Sequence, residues 1–262
     1  MTTRRPAKRI LHRTIHRGFT LIELAVAMFV IALLLGSILV PLATQVEQRQ
    51  VSETQKTMDD IRDALIGFAV ANGHLPCPDA RLDQPGTTPI AGQNDGVEDF
   101  DTATGDCQTQ FSTISSGTLP WATLGLGNQD AWGNRFRYIV VTAFARRTPS
   151  PTFTTTTPLP TPLRLCDNST CSGSVPSTVS VAIVISHGGN GFSAMNPLSL
   201  DPLRRNPLPP ATALDELRNT DTTLDKVSRT KSTLAGNEFD DMVISLSRFT
   251  LINRMVAAGK LP

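Results

Sequence analysis

Apolar residues run nearly unbroken from position 19 to position 42, and a single charged side chain, Glu23, falls among them. At a rise of about 1.5 Å per residue this run is long enough to cross a bilayer core about 30 Å thick. No second run of that kind follows. From position 43 the pattern turns amphipathic: Val51, Thr54, Met58, Ile61, Leu65 and Phe68 recur at steps of three and four, which is one face of a helix. Charged residues such as Glu53, Lys56, Asp60 and Asp63 fill the other side, and Asn72-Gly73 followed by Pro76 and Pro78 supplies a stop. One continuous helix from about 19 to 71 is predicted. Gly36 and Pro41 lie within or at the end of the apolar run, and Pro41 removes one ladder donor, so a bend is expected there. The amphipathic half draws most of its stability from packing, so a folded domain must lie against it.

Three later segments carry strand patterning: 136–145, 178–186 and 241–249. Val179, Val181, Ile183 and Ile185 alternate on one face of the second, as do Met242, Ile244 and Leu246 on the third. The expected fold class is therefore α+β, a long N-terminal α-helix packed on an antiparallel β-sheet with long irregular loops. Residues 148–162, TPSPTFTTTTPLPTP, have the extended, solvated composition of a surface loop. Residues 196–236 are again proline-broken, with one short helix expected at 211–218, and a terminal helix follows Thr250.

Charge gives the chain a direction. Arg4, Arg5, Lys8, Arg9, Arg13 and Arg17 precede the apolar run without an acid among them, so the positive-inside rule places this head in the cytoplasm and the remainder beyond the membrane. The formal net charge of the whole chain is +1, which leaves no electrostatic footprint for nucleic acid. All four cysteines, Cys77, Cys107, Cys166 and Cys171, lie on the exported side, where an even count implies two disulfides. Four cysteines allow three connectivities; sequence proximity favours Cys77 with Cys107 and Cys166 with Cys171, closures worth roughly 3.5 and 2 kcal/mol on chain-entropy grounds. Zinc is the competing use of the thiols, although Cys166 and Cys171 lack a second closely spaced ligand pair.

An ordinary secretory signal ends its apolar region at a small-residue cleavage site, whereas here the sharp boundary, Gly18-Phe19, precedes it. Gly18, Phe19, Thr20, Leu21, Ile22 and Glu23 resemble the G|FTLIE processing site of type IV prepilins and type II secretion pseudopilins. That resemblance covers about the first 45 residues. It implies that a prepilin peptidase cuts after Gly18, that the new amine of Phe19 is methylated, and that Glu23 sets register by pairing with the N-terminus of a neighbouring subunit. It also implies a type IV pilin fold, with 1–18 a cleaved basic leader, 19–42 a transmembrane and filament-core helix, 43–73 its amphipathic periplasmic half, and 74–262 a globular periplasmic domain. The precursor would be a single-pass protein of the bacterial inner membrane, its N-terminus cytoplasmic.

A second stretch, Asp130-Ala131-Trp132-Gly133-Asn134 with Phe136 and Tyr138, is similar to the D-P-W-G-N-x-Y-x-Y segment of major pseudopilins, with Ala131 where that family has proline. In that family a later glycine- and aspartate-rich loop binds calcium and an acidic pair precedes the last strand. His187-Gly188-Gly189-Asn190-Gly191 and the later Asp240-Asp241 stand in that order, and Asn237, Glu238 and Asp240 are the calcium candidates. The earlier acidic stretch, Asn94, Asp95, Glu98, Asp99, Asp101 and Asp106, lacks EF-hand spacing and is expected to be a solvated loop.

Enzymatic activity is not expected. There is no G-x-S-x-G nucleophile elbow, and cleavage after Gly18 would leave only His74 and His187. Trp121 and Trp132 are expected to be packing aromatics. The sequence thus predicts a structural subunit, minor or specialised, of a type II secretion pseudopilus or a type IV pilus. Its partners would be the prepilin peptidase, other pilin or pseudopilin subunits and an inner-membrane assembly platform. A membrane-anchored periplasmic binding module that recognises a surface, DNA or an exported substrate through its loops is the alternative.

Overall fold

The computed structural model describes residues 19–79, 94–108, 110–111, 113–147, 153–159, 163–173, 175–196, 205–234 and 237–261, the side chains of 35–43 and 110–111 excepted. The chain divides into two compact units, Met1–Gln48 and Arg49–Pro262. Helix α1 runs over Leu21–Asn72 without interruption at Gly36 or Pro41. In the first unit its described apolar side chains are exposed: Leu21 is 87% exposed and Phe19, just before the helix, 79%. Among the described residues no helix is long and apolar enough to cross a membrane. The run from 19 to 42 includes side chains that lie outside the described residues.

In the second unit α1 buries Thr54, Met58, Ile61, Leu65 and Ala69, while Val51 is exposed and Phe68 only half-buried. The sequence pattern alternated steps of three and four, whereas a helix of 3.6 residues per turn drifts from that 3.5 period. Ala69, not Phe68, therefore continues the line. Gly73 ends the helix at φ 82°, and its N–H donates to Ala69 O at 2.8 Å.

Among the described residues seven strands form one sheet: β1 (Gln110–Phe111), β2 (Ile114–Thr118), β3 (Arg137–Val141), β4 (Leu163–Cys166), β5 (Ser177–Ser186), β6 (Asp225–Val227) and β7 (Met242–Ser247). Their order is β1-β2-β3-β5-β4-β6, with β7 also on β5. The pairings are antiparallel except β4 with β6, which is parallel, so the expectation of a wholly antiparallel sheet is corrected by one edge. Arg164 and Asp225, opposite each other in that register, lock the edge with two hydrogen bonds of 2.7 Å.

The one-face reading of β5 does not hold either. Ala182 and Val184 are as buried as Val181, Ile183 and Ile185. One face meets α1, where Arg62 and Leu65 lie beside Ala182, Val184, Ile244 and Leu246. Tyr138, opposite Val184, is on that face, and its hydroxyl donates to Pro76 O just beyond α1. Arg137 is on the other face, where its guanidinium donates to the carbonyls of Asn219, Thr220 and Asp221, the C-terminal end of α4 (Leu214–Thr220). A strand covered on both sides has no reason to alternate.

The expected first strand, 136–145, stops at Val141 and continues as α3 (Thr142–Ala145), where Thr142 donates through N and Oγ1 to Thr113 O, both at 3.0 Å. The expected third, 241–249, stops at Ser247, whose Oγ accepts from Phe249 N and caps α5 (Arg248–Ala257). A short α2 (Trp121–Leu124) follows β2. Phe153 interrupts the expected solvated loop: it is fully buried, its ring centroid 4.9 Å from that of Phe144, and Arg248 donates to nearby Thr155 O. Residues 148–152 and 160–162 of that loop lie outside the described residues.

Disulfides join Cys77 to Cys107 and Cys166 to Cys171, with Cα separations of 5.3 and 5.1 Å, so no free thiol is left for zinc. The acidic loop after residue 93 is not simply solvated. Glu98 is buried, pairs with Arg147, and accepts from Cys77 N. Fully buried Asp79 accepts from Asn94 N and Gly96 N, both at 2.8 Å, and burial pushes its carboxyl up to about 7.

Candidate functional site

Two places carry chemistry beyond packing. The first is the start of α1. Thr20 precedes the helix; its Oγ1 accepts from Glu23 N at 3.3 Å and donates to Glu23 Oε2 at 3.4 Å, while Leu24 N donates to Thr20 O. Thr20-Leu21-Ile22-Glu23 is therefore a variant of the S/T-x-x-E capping box. The T-x-x-E spacing is legible in the sequence, where Thr20 figures in the processing motif but not as a cap. The capping role of Thr20 is what sequence reasoning missed. Glu23 is exposed within an otherwise apolar surface, and Phe19 lies next to the cap. Gly18, the residue before the expected scissile bond, lies outside the described residues.

The second place is a cluster of carboxylates built from three separate segments. Ser186 ends β5, and the loop that follows, 187–191, turns back with Gly188 at φ 58° and Gly191 at φ 60°. A Cβ on Gly188 would run into Asp240, and one on Gly191 into Asn134. The loop approaches Asp240 and Asp241, which precede β7: Asn190 N donates to Asp240 Oδ2 at 2.9 Å, and His187 Nδ1 lies 3.3 Å from Asp241 Oδ1. Helix α4 brings Glu216, whose Oε1 accepts from Asn190 Nδ2 at 2.6 Å, and Asn219, which donates to Asp241 Oδ2 at 2.8 Å. Oxygens of Glu216, Asp240 and Asp241 lie within 4.8 Å of one another.

Burial makes this arrangement costly. Glu216 is 1% exposed; desolvation first, then the charges of Asp241 and Asp240, push its carboxyl up to about 7. Asp240 is raised for the same leading reason. Glu216 Oε2, Asp240 Oδ1 and His187 Nε2 are buried without a hydrogen-bond partner. The donor set is all carboxylate oxygen, the chemistry of a hard divalent cation, and three mutually close acids, two of them with an orphaned oxygen, fit one.

The turn at 130–134 is the platform beneath. Asp130 accepts from Trp132 N, Asn134 N and Ser186 Oγ, while Ala131 N donates to Thr54 Oγ1 on α1. Asn134 Nδ2 in turn donates to Gly188 O. The stretch thus ties α1 to the 187–191 loop. Both tryptophans are half-buried, Trp121 beneath the Arg135 guanidinium and Trp132 beside Gly189. Of the calcium candidates chosen from sequence, Asp240 lies in the cluster. Asn237 instead holds Arg229 through its Oδ1 and carbonyl, and Glu238 is not one of the clustered acids. Glu216 was unmarked because nothing local in α4 distinguishes a buried acid from a solvated one.

Residues 13–39 match the family model of the prokaryotic N-terminal methylation motif. That motif supports a type IV pilin-like or pseudopilin family, and it indicates a precursor of that type; the match covers the N-terminal segment alone. It implies processing by a prepilin peptidase and assembly with other pilin subunits, and it suggests a membrane-anchored precursor. The mixed α+β unit, a long N-terminal helix laid on a largely antiparallel sheet, agrees with a pilin fold. No curated protein and no solved structure matches the chain.

Proposed function

We propose that this chain is a minor or specialised structural subunit of a type II secretion pseudopilus or a type IV pilus. The peptidase would cut after Gly18 and methylate Phe19, and the apolar run of 19–42 would hold the subunit in the inner membrane until an assembly platform draws it into a filament. Glu23 would then pair with the methylated amine of an adjacent subunit and set the axial register. The observation that carries this reading is the methylation motif at 13–39 continuing into a helix whose apolar side chains are exposed around one acid. Those side chains call for an apolar surrounding, which a bilayer and then a bundle of like helices supply in turn. No step needs a catalytic residue in this chain. The test is the intact mass of the protein from cells with and without active prepilin peptidase. Loss of residues 1–18 with gain of one methyl group only when the peptidase is present is expected; the same unprocessed mass in both strains refutes it. Glu23→Ala should be processed yet fail to enter filaments.

A bound calcium ion belongs to the same proposal. The buried oxygens of Glu216 and Asp240 that no donor satisfies favour it. Asp240 and Asp241 would hold the ion, and its charge would offset the mutual repulsion of the acids.

A further inference from the structure

We infer that Glu216, on α4, is a ligand of that cation, so that binding fastens the excursion between β5 and β7 onto the core of the sheet. The inference rests on the calcium reading and adds to it a residue from outside the two loops that the sequence pointed to. Helix α4 lies within that excursion, far from Asp240 in sequence, and its acid is 1% exposed with Oε2 unpartnered while Oε1 is held by Asn190. An isolated buried carboxylate oxygen is costly, and a fold that wanted only packing at this position would be served by an apolar side chain. The clustered oxygens lie within 4.8 Å of one another, twice a calcium–oxygen distance of about 2.4 Å, so one ion can span any two of them and a small side-chain shift brings in the third. Calcium takes six to eight oxygens, so backbone carbonyls or water would complete the shell.

The geometry also sets what the ion would fasten. Asn219, one turn on from Glu216, grips β6 through Val227 N and O and donates to Asp241. Arg229 reaches Asp215 at 2.7 Å, and Ser169 N donates to the same acid, so α4, β6 and the Cys166–Cys171 hairpin form one connected block. Glu216 is where this block meets Asp240 and Asp241. A cation shared by the three would make docking of the whole block calcium-dependent.

The experiment uses the full chain in detergent, stripped with chelator and titrated with calcium chloride by calorimetry, alongside hydrogen exchange of 214–227. Variants are Glu216→Gln, which keeps the acceptor for Asn190 and nearly the same volume, Asp240→Asn and Glu238→Gln. Expected is calcium binding by the parent chain, at least tenfold weaker binding in Glu216→Gln and Asp240→Asn, and unchanged binding in Glu238→Gln. Slower exchange of 214–227 on adding calcium is expected in the parent and not in Glu216→Gln. Equal thermal melts of parent and Glu216→Gln in chelator would establish that the variant folds; if it does not, Asp240→Asn and the exchange of the parent chain still decide. Undiminished binding in Glu216→Gln, or calcium-insensitive exchange of 214–227 in a parent that binds, overturns the role of Glu216 and leaves the calcium reading standing. No binding by the parent overturns both.

Discussion

Replacing Asp79 with asparagine isolates the cost of one buried charge. Asp79 is fully buried and accepts two backbone N–H groups, yet burial wins and lifts its carboxyl from an ordinary 3.8 to about 7. Between those values the folded chain binds a proton that the unfolded chain has released. The stabilisation is therefore complete below pH 4 and is lost as pH rises through 7. At about 1.4 kcal/mol per pH unit, the full loss comes to about 4 kcal/mol. Asparagine cannot ionise, so its stability relative to the parent should improve by about that amount between pH 4 and pH 8. A pH-independent cost of about 1–3 kcal/mol is set against it, because one N–H of Asn94 or Gly96 loses its acceptor. Glu216, Asp130 and Asp240 are also raised by burial and slope the same way in both proteins, so the difference between the curves isolates Asp79. Urea unfolding in detergent, followed by tryptophan fluorescence, measures it; Trp121 packs on Gly96 and reports on the same loop. Parallel stability curves for parent and Asp79→Asn across that range would refute the reasoning.

Leu65→Ala removes a side chain 1% exposed between α1 and the sheet, and should cost about 2–5 kcal/mol in the same urea assay. Gly67→Ala, two residues on, points a methyl into open space from a helix interior and should stabilise by about 0.5–1 kcal/mol, seen as a raised urea midpoint. Lys226 is fully buried; desolvation, then Arg137, bring its amine down to about 7, so here the unfolded chain binds the extra proton. Stability should rise by about 2 kcal/mol from pH 7 to pH 9 in the parent relative to Lys226→Met, the opposite slope to that of Asp79.

What could be seen in the sequence were the features that depend on neighbours along the chain. The α1 pattern, the Gly73 stop and the apolar run of β5 rest on local periodicity or capping, whereas the Ser247 cap that ends β7 and starts α5 was read through as strand. β4 and β6 were not visible: Leu163–Cys166 and Asp225–Val227 are too short to show a period, and what makes them strands is pairing, β4 with β5 and β6, and β6 with β4 through the Arg164–Asp225 pair. Phe153 sits in a threonine- and proline-rich run whose composition is that of solvent, and only its meeting with Phe144 buries it. The carboxylate cluster divides along the same line. Asp240 stood out beside an expected strand, whereas Glu216 gained its meaning only when α4 folded back across the strand ends. Thr20 is different, because its spacing to Glu23 was a legible cap that the charge of Glu23 obscured.

That cap bears on how Glu23 works. Burying Leu21, Ile22, Leu24, Phe29, Ile31 and Leu34 gains about 1.5–3 kcal/mol apiece, while a carboxylate in hydrocarbon costs on the order of 2.5–3.5 kcal/mol on insertion scales. The apolar side chains outweigh the acid several times over, so Glu23 does not prevent burial, but neither does it serve burial. It serves either the helix start, through Thr20, or a cationic partner. Glu23→Gln separates these roles, because glutamine fills the third position of a capping box as glutamate does and carries no charge. If register depends on pairing with the amine of Phe19 in a neighbouring subunit, Glu23→Gln should be cleaved normally and be as absent from sheared filaments as Glu23→Ala. Filament incorporation by the glutamine variant at the parent level would instead assign Glu23 to the cap and remove the ionic pairing from the assembly mechanism.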